Sequence, residues 1–190
     1  MKTIEITGTL REEFGKTTSK ALRKADCVPC VIYGGEENIH FYVTNEGVRN
    51  LIYSPDIYLV NLTVGDKKCT AILKDLQFHP VSDALLHIDF MEVFANKPII
   101  MNVPVVLEGL AKGVQAGGKL TLEKRTIAVK GLYGDMPEKL FIKVDDLGLG
   151  KTIQVAELSF DKLEIVSPKE NVVCSVKLTR AARGAASEGK

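Results

Sequence analysis

The sequence predicts a mainly β protein with short helices (α+β), in which a six-stranded barrel-like domain precedes an all-β domain. The first 94 residues contain six short strand patterns and two short helical patterns, separated by turn residues. Beyond Asn96-Lys97-Pro98 the helical spacing disappears and only short strand patterns remain. A chain of 190 residues is also long for one compact domain and comfortable for two.

The strands of the first domain are predicted from apolar alternation and from the turns between them. In the first strand Ile4, Ile6 and Leu10 are expected on one face. Pro29 indicates that the second strand lies near an edge or a bend. The predicted strands are residues 1–10, 27–33, 40–44, 57–64, 68–79 and 86–94. So many short strands in so short a segment suggest a closed or nearly closed barrel.

Two short helices are predicted between these strands. The hydroxyl residues 17–19 are candidate N-caps of a helix that continues through Lys24. In this helix Ala21 and Leu22 are expected to point into the domain. A second helical pattern covers residues 45–53.

The second domain is expected to consist of short strands separated by Gly, Pro and Asp turns. They are predicted at residues 99–107, 119–122, 125–131, 138–144, 152–155 and 171–179. The last segment, RAARGAASEGK, is small, polar and basic, which predicts disorder. The expected division is therefore residues 1–94, residues 95–179 and a disordered basic tail at 180–190.

The composition argues against a membrane protein and against a secreted one. No apolar run approaches the roughly 20 residues needed to span a bilayer. The start of the chain, MKTIEI, alternates like a strand and has no signal-peptide core, so the expected location is the cytoplasm. There the cysteines are expected to be reduced thiols. They are Cys27, Cys30, Cys69 and Cys174.

Positive charge is concentrated in one short segment. Residues 1–94 hold 10 Lys/Arg and 13 Asp/Glu, a net charge of −3, but residues 11–24 hold five cations and two acids, a net charge of +3. In this segment Lys16 is expected just before the helix, and Lys20, Arg23 and Lys24 share one helix face. Charge alone leaves two interpretations open, a solvated helix face or a small footprint on a phosphate backbone.

Two later segments place polar side chains on strand faces. Asp75, Gln77 and His79 alternate in one strand, and His87 and Asp89 alternate in the next. Such side chains can contact base edges and sugar hydroxyls in the shallow minor groove of RNA. A basic helix and two polar strand faces could therefore line one RNA groove.

The motifs that carry these residues resemble a known family. In order along the chain they are R-x-x-x-G-K-x-x-S-x-x-L-R from Arg11, P-x-V-I-Y-G-G from Pro29, K-D-x-Q-x-H-P from Lys74 and H-I-D-F from His87. Together they resemble the 5S rRNA-binding ribosomal protein family, also called the general stress protein CTC family. The second domain resembles the β-rich extension of the long members of this family.

The resemblance implies a six-stranded barrel that binds the loop E region of 5S rRNA through its minor groove. It also implies a structural role in the central protuberance of the large ribosomal subunit, next to other ribosomal proteins, with no enzymatic activity. The implied contacts are Arg11, Lys16, Ser19, Arg23, Tyr33, Gln77, His87 and Asp89, with Lys20 added by position. Phe78 departs from the family, which often has a basic residue there. No cofactor, metal, small-molecule substrate or membrane partner is expected, and the protein is expected to be a monomer off the ribosome.

Other interpretations remain open at the level of sequence. Cys27-Val28-Pro29-Cys30 has the spacing of a redox or half-zinc motif, but no second ligand pair accompanies it. Gly148-Leu149-Gly150-Lys151-Thr152 ends like a P-loop but lacks the required first glycine, because Asp145 stands there. The alternative functions are a small thiol, metal or His/Asp enzyme, or a protein-interaction module in which the second domain is the working part.

Overall fold

A computed structural model describes residues 1–160 and 162–179, so the predicted disorder of residues 180–190 concerns a segment outside the described residues. The chain divides into two compact units, one formed by residues 1–99 with 132–134 and the other by the remaining residues from 100 onward. Strands outnumber helices in both units, which confirms the predicted mainly β fold class. No helix in the described part of the chain is long and apolar enough to cross a membrane.

The first unit is a closed barrel, as the sequence predicted. Its strands are β1 (Lys2–Leu10), β2 (Cys27–Tyr33), β3 (Ile39–Thr44), β4 (Tyr58–Val64), β5 (Lys67–Phe78) and β6 (Leu85–Glu92). They follow one another around the barrel in the order β1-β3-β2-β6-β5-β4. The pairs β1–β4 and β2–β6 are parallel, and the other neighbours are antiparallel.

Alternate strand positions fill the interior of the barrel with apolar side chains. Phe41 and Phe90 are fully buried there, with their ring centroids 5.8 Å apart. Gly8 lies against this pair, because a Cβ atom at that position would stand 2.5 Å from the Phe41 ring. Leu10 follows Ile4 and Ile6 in alternation along β1, but it is 54% exposed. The parallel pairing with β4 ends at Gly8 and Val64, so Leu10 extends beyond the end of that strand.

Helix α1 (Lys16–Lys24) begins earlier than predicted. Its N-cap is Gly15, whose φ of 129° suits glycine, and no side chain caps the helix. The predicted caps at residues 17–19 are therefore wrong, because these residues lie within the first turn. Ala21 is exposed and Leu22 only half-buried, so the prediction that both point into the domain is wrong for Ala21. The helix packs on the outside of β2 and has no buried residue.

Helix α2 (Asn45–Ile52) agrees with the predicted second helix. The Thr44 hydroxyl caps it by accepting a hydrogen bond of 3.3 Å from the Gly47 amide. Its apolar residues Val48 and Leu51 are buried in the core of the barrel. This helix is therefore fixed by packing, whereas α1 is not.

In its described residues, the second unit has seven strands in two sheets. They are β7 (Ile99–Glu108), β8 (Lys119–Leu122), β9 (Thr126–Gly131), β10 (Leu140–Lys143), β11 (Thr152–Gln154), β12 (Glu164–Ile165) and β13 (Val172–Lys177). One sheet has the order β10-β7-β9-β12 and the other the order β11-β13-β8. The sequence predicted these strands except β12, and it did not predict the helical turn α3 (Lys112–Gln115) or the 3₁₀ turns Tyr133–Asp135 and Val155–Glu157.

Candidate nucleic-acid interface

Strands β5 and β6 bring four polar side chains together on the outer face of the barrel. Gln77 lies opposite His87, and Asp75 lies opposite Asp89, because the two strands are antiparallel. Ile88 and Phe90 of β6 are buried in the core, so the alternate residues His87 and Asp89 face away from it. We call Asp75, Gln77, His87 and Asp89, with Tyr33 of the adjoining strand β2, the polar face.

The charged and polar groups of the polar face lie close enough to influence one another. The His87 Nδ1 atom lies 2.7 Å from a carboxylate oxygen of Asp89. Partial burial, followed by the negative charges of Asp89 and Asp75, raises the pKa of the Tyr33 hydroxyl. Tyr33 therefore stays protonated and can donate a hydrogen bond, while the carboxylates accept. The polar face thus presents donors and acceptors within one small area.

Helix α1 adds a row of cations beside this face. Lys16, Lys20, Arg23 and Lys24 are all exposed. None of the four has an ion-pair partner among residues 1–160 and 162–179, whereas Lys67 pairs with Glu37 at 3.0 Å. The α1 cations are therefore available to an external anion.

The Arg23 side chain links the helix to the polar face. The Arg23 Nε atom donates a hydrogen bond of 3.0 Å to the carbonyl oxygen of Leu86, the residue before His87. The terminal nitrogens of the same guanidinium remain free to contact a phosphate. Arg23 therefore connects the α1 cations with the polar face.

Arg11 connects the end of β1 with the start of α1. Its guanidinium donates to the Ser19 hydroxyl at 3.2 Å and lies 5.6 Å from the centroid of the Phe14 ring. The Ser19 hydroxyl itself donates to the carbonyl oxygen of Gly15 at 2.9 Å. The Phe14 ring packs edge-on against His40, with centroids 5.2 Å apart. Ser19 thus positions Arg11 and the helix start, which motif matching alone did not show.

The structure arranges the predicted contact residues in two groups. Tyr33, Gln77, His87 and Asp89 belong to the polar face, and Arg11, Lys16, Ser19, Lys20 and Arg23 belong to α1 and its start. His79 does not join its predicted partners, because β5 ends at Phe78 and the His79 Nδ1 atom instead accepts hydrogen bonds from the amides of Val81 and Ser82. Phe78 is 40% exposed and lies opposite Leu85.

The geometry of the two cysteines argues against a thiol site. Cys30 points into the barrel core, whereas Cys27 lies three residues earlier on the same strand and is half-buried on the other face. Burial is the main cause that raises the pKa of the Cys30 thiol, and a thiol held in its neutral form is a weak nucleophile and metal ligand. Across residues 1–160 and 162–179, no cluster of three or more His, Cys, Asp or Glu side chains is arranged to hold a metal ion.

The P-loop interpretation also fails on geometry. Residues 148–152 lead into β11, a strand, and not into a helix. A P-loop needs the amide groups at the start of a helix to cradle its phosphates. Nucleotide binding of that type is therefore excluded at this segment.

A closed barrel that combines exposed helix cations with a polar strand face has the features of an RNA-binding protein. Residues 6–90 match the ribosomal L25p family, and residues 98–180 match the C-terminal domain of ribosomal protein TL5. The large ribosomal subunit protein bL25 of Bacteroides thetaiotaomicron is 58% identical, over 98% of this chain and 97% of its own length. The protein of the same name from Porphyromonas gingivalis is 60% identical over 98% of each chain.

The chain belongs to the ribosomal L25p family, which confirms the resemblance read from its motifs. It is therefore a structural, RNA-binding ribosomal protein of the cytoplasm and not an enzyme. The match to two successive family domains also agrees with the long form that the sequence indicated.

Proposed function

We propose that this protein is a component of the large ribosomal subunit that binds the loop E region of 5S rRNA through the minor groove and contributes to the central protuberance. Residues 1–94 form the RNA-binding domain in this proposal, and residues 95–179 form a second domain followed by the tail at 180–190. The protein binds as a monomer. Several relatives are named large ribosomal subunit proteins, which supports the assignment to that subunit.

The α1 cations supply the phosphate contacts. Lys16, Lys20 and Arg23 are exposed and lie on one short helix, where they can contact the phosphates of an RNA backbone. Such contacts set affinity and position on RNA but carry no sequence information. Arg11, held by Ser19, extends the same row past the start of the helix.

The polar face supplies contacts to bases and riboses. Asp75 and Asp89 are carboxylates, and a carboxylate placed against a phosphate would be repelled. In the wide minor groove of RNA the same groups find donors, the guanine amino group and the ribose 2′-hydroxyl. Gln77 and Tyr33 add amide and hydroxyl groups to the same area.

The observation that carries the proposal is the hydrogen bond from Arg23 to Leu86. It holds the α1 cations immediately beside His87, so phosphate contacts and base contacts are presented together. A minor groove offers these two kinds of partner side by side, with the phosphates flanking the base edges. Either element alone would be an ordinary protein surface.

A titration of the full chain with 5S rRNA, against transfer RNA as a control, tests this proposal. We expect a clear preference for 5S rRNA, and protection of loop E from chemical probes that react at the minor groove. The matched variants are Lys20→Ala on α1 and Lys67→Ala, which removes a lysine already paired with Glu37. Equal affinity for both RNAs in the unmodified chain would contradict the proposal.

A further inference from the structure

The outer surface of the three-stranded sheet in the second unit is built from lysines and hydroxyl residues. Cys174 and Val176 of β13 belong to a hydrophobic core, and at the alternate positions Val173 and Ser175 are also buried while Lys177 is exposed. The register across the sheet places Thr152, Ser175 and Thr121 in one row and Lys177 beside Lys119 in the next. We call Lys119, Thr121, Lys151, Thr152, Ser175 and Lys177 the lysine–hydroxyl face.

A cleft of about 650 Å³ opens on this face. The polar part of its lining is Lys151, Thr152, Ser175, Lys177 and Glu123. Val172, Val176 and Leu178 form an apolar part. The Glu123 carboxylate lies 2.7 Å from Lys177 Nζ and accepts a hydrogen bond of 3.1 Å from the Ser175 hydroxyl. Glu123 therefore neutralises Lys177 and holds it in place, and leaves the other lysines of the face uncompensated.

Two lysines of the face, Lys119 and Lys151, stand outside this ion pair. Lys119 lies directly opposite Lys177 in the sheet, and the charge of Lys177 is already offset by Glu123. Neither Lys119 nor Lys151 has an ion-pair partner in the part of the chain that the structure describes. Some lysines of the same unit do have one, for example Lys112 with Asp146 and Lys130 with Glu164, whereas Lys143 and Lys169 also have none among the described residues. No contact within the described fold compensates for the two free cations.

We propose that the lysine–hydroxyl face binds the phosphate backbone of ribosomal RNA in the assembled ribosome, as a contact separate from the barrel. Ammonium and hydroxyl groups are donors that match phosphate oxygens, and ion-assisted hydrogen bonds of this kind are short and strong. The chemistry differs from that of the polar face, where carboxylates alternate with donors and suit base edges. The carboxylate that lines the cleft, Glu123, is already paired with Lys177 within the protein.

The membership of a ribosomal protein family favours RNA over an acidic protein as the anionic partner. The segment Gly150-Lys151-Thr152 resembles the end of a P-loop in sequence but does not form one. Lys151 and Thr152 line the cleft at an edge strand of the sheet, where they can contact phosphate without the amide groups of a helix start. The proposal does not depend on 5S rRNA, because any ribosomal RNA segment within reach offers the same phosphates.

The test uses the full chain and ribosomal large subunits that lack their own copy of this protein. The variant Lys119→Gln with Lys151→Gln is compared with Lys143→Gln and Lys169→Gln, which changes two exposed lysines away from the face and has the same effect on net charge. Retention on the subunits is measured over a series of salt concentrations. We expect the first variant to lower the salt slope of log affinity by about 1.5 units, and the control to leave it unchanged.

A photoreactive phenylalanine analogue in place of Gln154, an exposed residue of β11, identifies the partner. Crosslinks to ribosomal RNA support the proposal. Crosslinks to a ribosomal protein alone, or equal salt slopes for the two double variants, overturn it. Free 5S rRNA binding is measured in parallel and should be unchanged in both variants. If the unmodified chain does not bind 5S rRNA, the function proposed for the barrel fails while the crosslink still decides this second contact.

Discussion

At the scale of single residues, the proposed interface separates groups that position the RNA from groups that read it. Lys20 projects from the outside of α1 with no partner among the described residues, so its expected role is purely electrostatic. His87 is half-buried, and its Nδ1 atom lies 2.7 Å from a carboxylate oxygen of Asp89. A free cation and a partly buried imidazole should respond differently to mutation.

Lys20→Ala should weaken the binding of every RNA alike and lower the salt slope by about one unit, because one phosphate contact is lost. His87→Ala should reduce the preference for 5S rRNA over transfer RNA by about tenfold, because base-edge contacts carry discrimination of about 1–3 kcal/mol. Titrations of both RNAs at several salt concentrations measure both effects. Equal losses for the two RNAs in the His87 variant would refute this division.

The thiols should be dispensable for function. The double variant Cys27→Ser and Cys30→Ser should bind 5S rRNA as tightly as the unmodified chain, and the purified protein should contain no stoichiometric zinc. Its free energy of unfolding should fall by about 1–3 kcal/mol, because a serine hydroxyl at the buried position of Cys30 is more polar than the thiol and would be buried with its hydrogen bonds incomplete. Denaturant unfolding and metal analysis are the measurements. A bound metal that the double variant loses would overturn the prediction.

At the scale of secondary-structure elements, α1 differs from α2 in how it is held. Helix α2 buries Val48 and Leu51 in the core, whereas α1 buries no residue and concentrates like charges. Most helix stability in proteins comes from a buried apolar face, and short helices without one are marginal in water. Arg23 and the contacts around Arg11 are therefore the main restraints on α1.

We therefore expect α1 to exchange its amide hydrogens rapidly in the free protein and slowly when RNA is bound. Phosphates would relieve the repulsion among its cations, and the entropy cost of ordering, about 1–2 kcal/mol per backbone residue fixed, would subtract from affinity. Hydrogen exchange with and without 5S rRNA should show the largest gain in protection between Arg11 and Lys24. Full protection in the free protein would mean that the site is preformed, and only the claim of ordering would be wrong.

At the scale of the whole molecule, residues 1–94 should bind 5S rRNA nearly as well as the full chain. All the proposed 5S contacts lie before residue 95, and the barrel closes on itself around its own core. We expect the affinity of the isolated segment to lie within about tenfold of the full chain, or 1.4 kcal/mol. Circular dichroism of the segment serves as the control for folding. A greater loss from a folded segment would make the second domain a binding partner for free 5S rRNA.

The sequence predicted which strands and helices form the barrel better than it predicted the residues at which they begin and end. Apolar alternation identified all six strands, because one face of each strand is buried. The start of α1 was placed too late because Gly15 provides its cap through backbone conformation, which a search for hydroxyl caps does not detect. His79 was assigned to the interface because its alternation with Gln77 continues past the end of β5. Periodicity alone does not show where a strand stops.

Local sequence patterns do not predict which distant parts of the chain pair with each other. Nothing near Tyr33 in the sequence shows that β2 runs parallel to β6, yet this pairing brings Tyr33 to the polar face. The link from Arg23 to Leu86 likewise joins residues far apart in the chain. In the second unit, α3 and β12 were missed because four and two residues are too few to show a period. The contact residues themselves came from the family resemblance.

The order in which the strands pair determines how much of the chain must be synthesised before the barrel can close. β1 is synthesised first, yet Lys2 pairs with Tyr58, and β2 finds its second neighbour only in β6. A growing chain therefore exposes unpaired strand edges until residue 92 is available, and such edges are prone to join other chains. Nascent chains arrested before that residue should aggregate or engage chaperones, whereas chains arrested well beyond it should not. The protection that closure gives to the finished barrel is thus absent during most of the synthesis of its own domain.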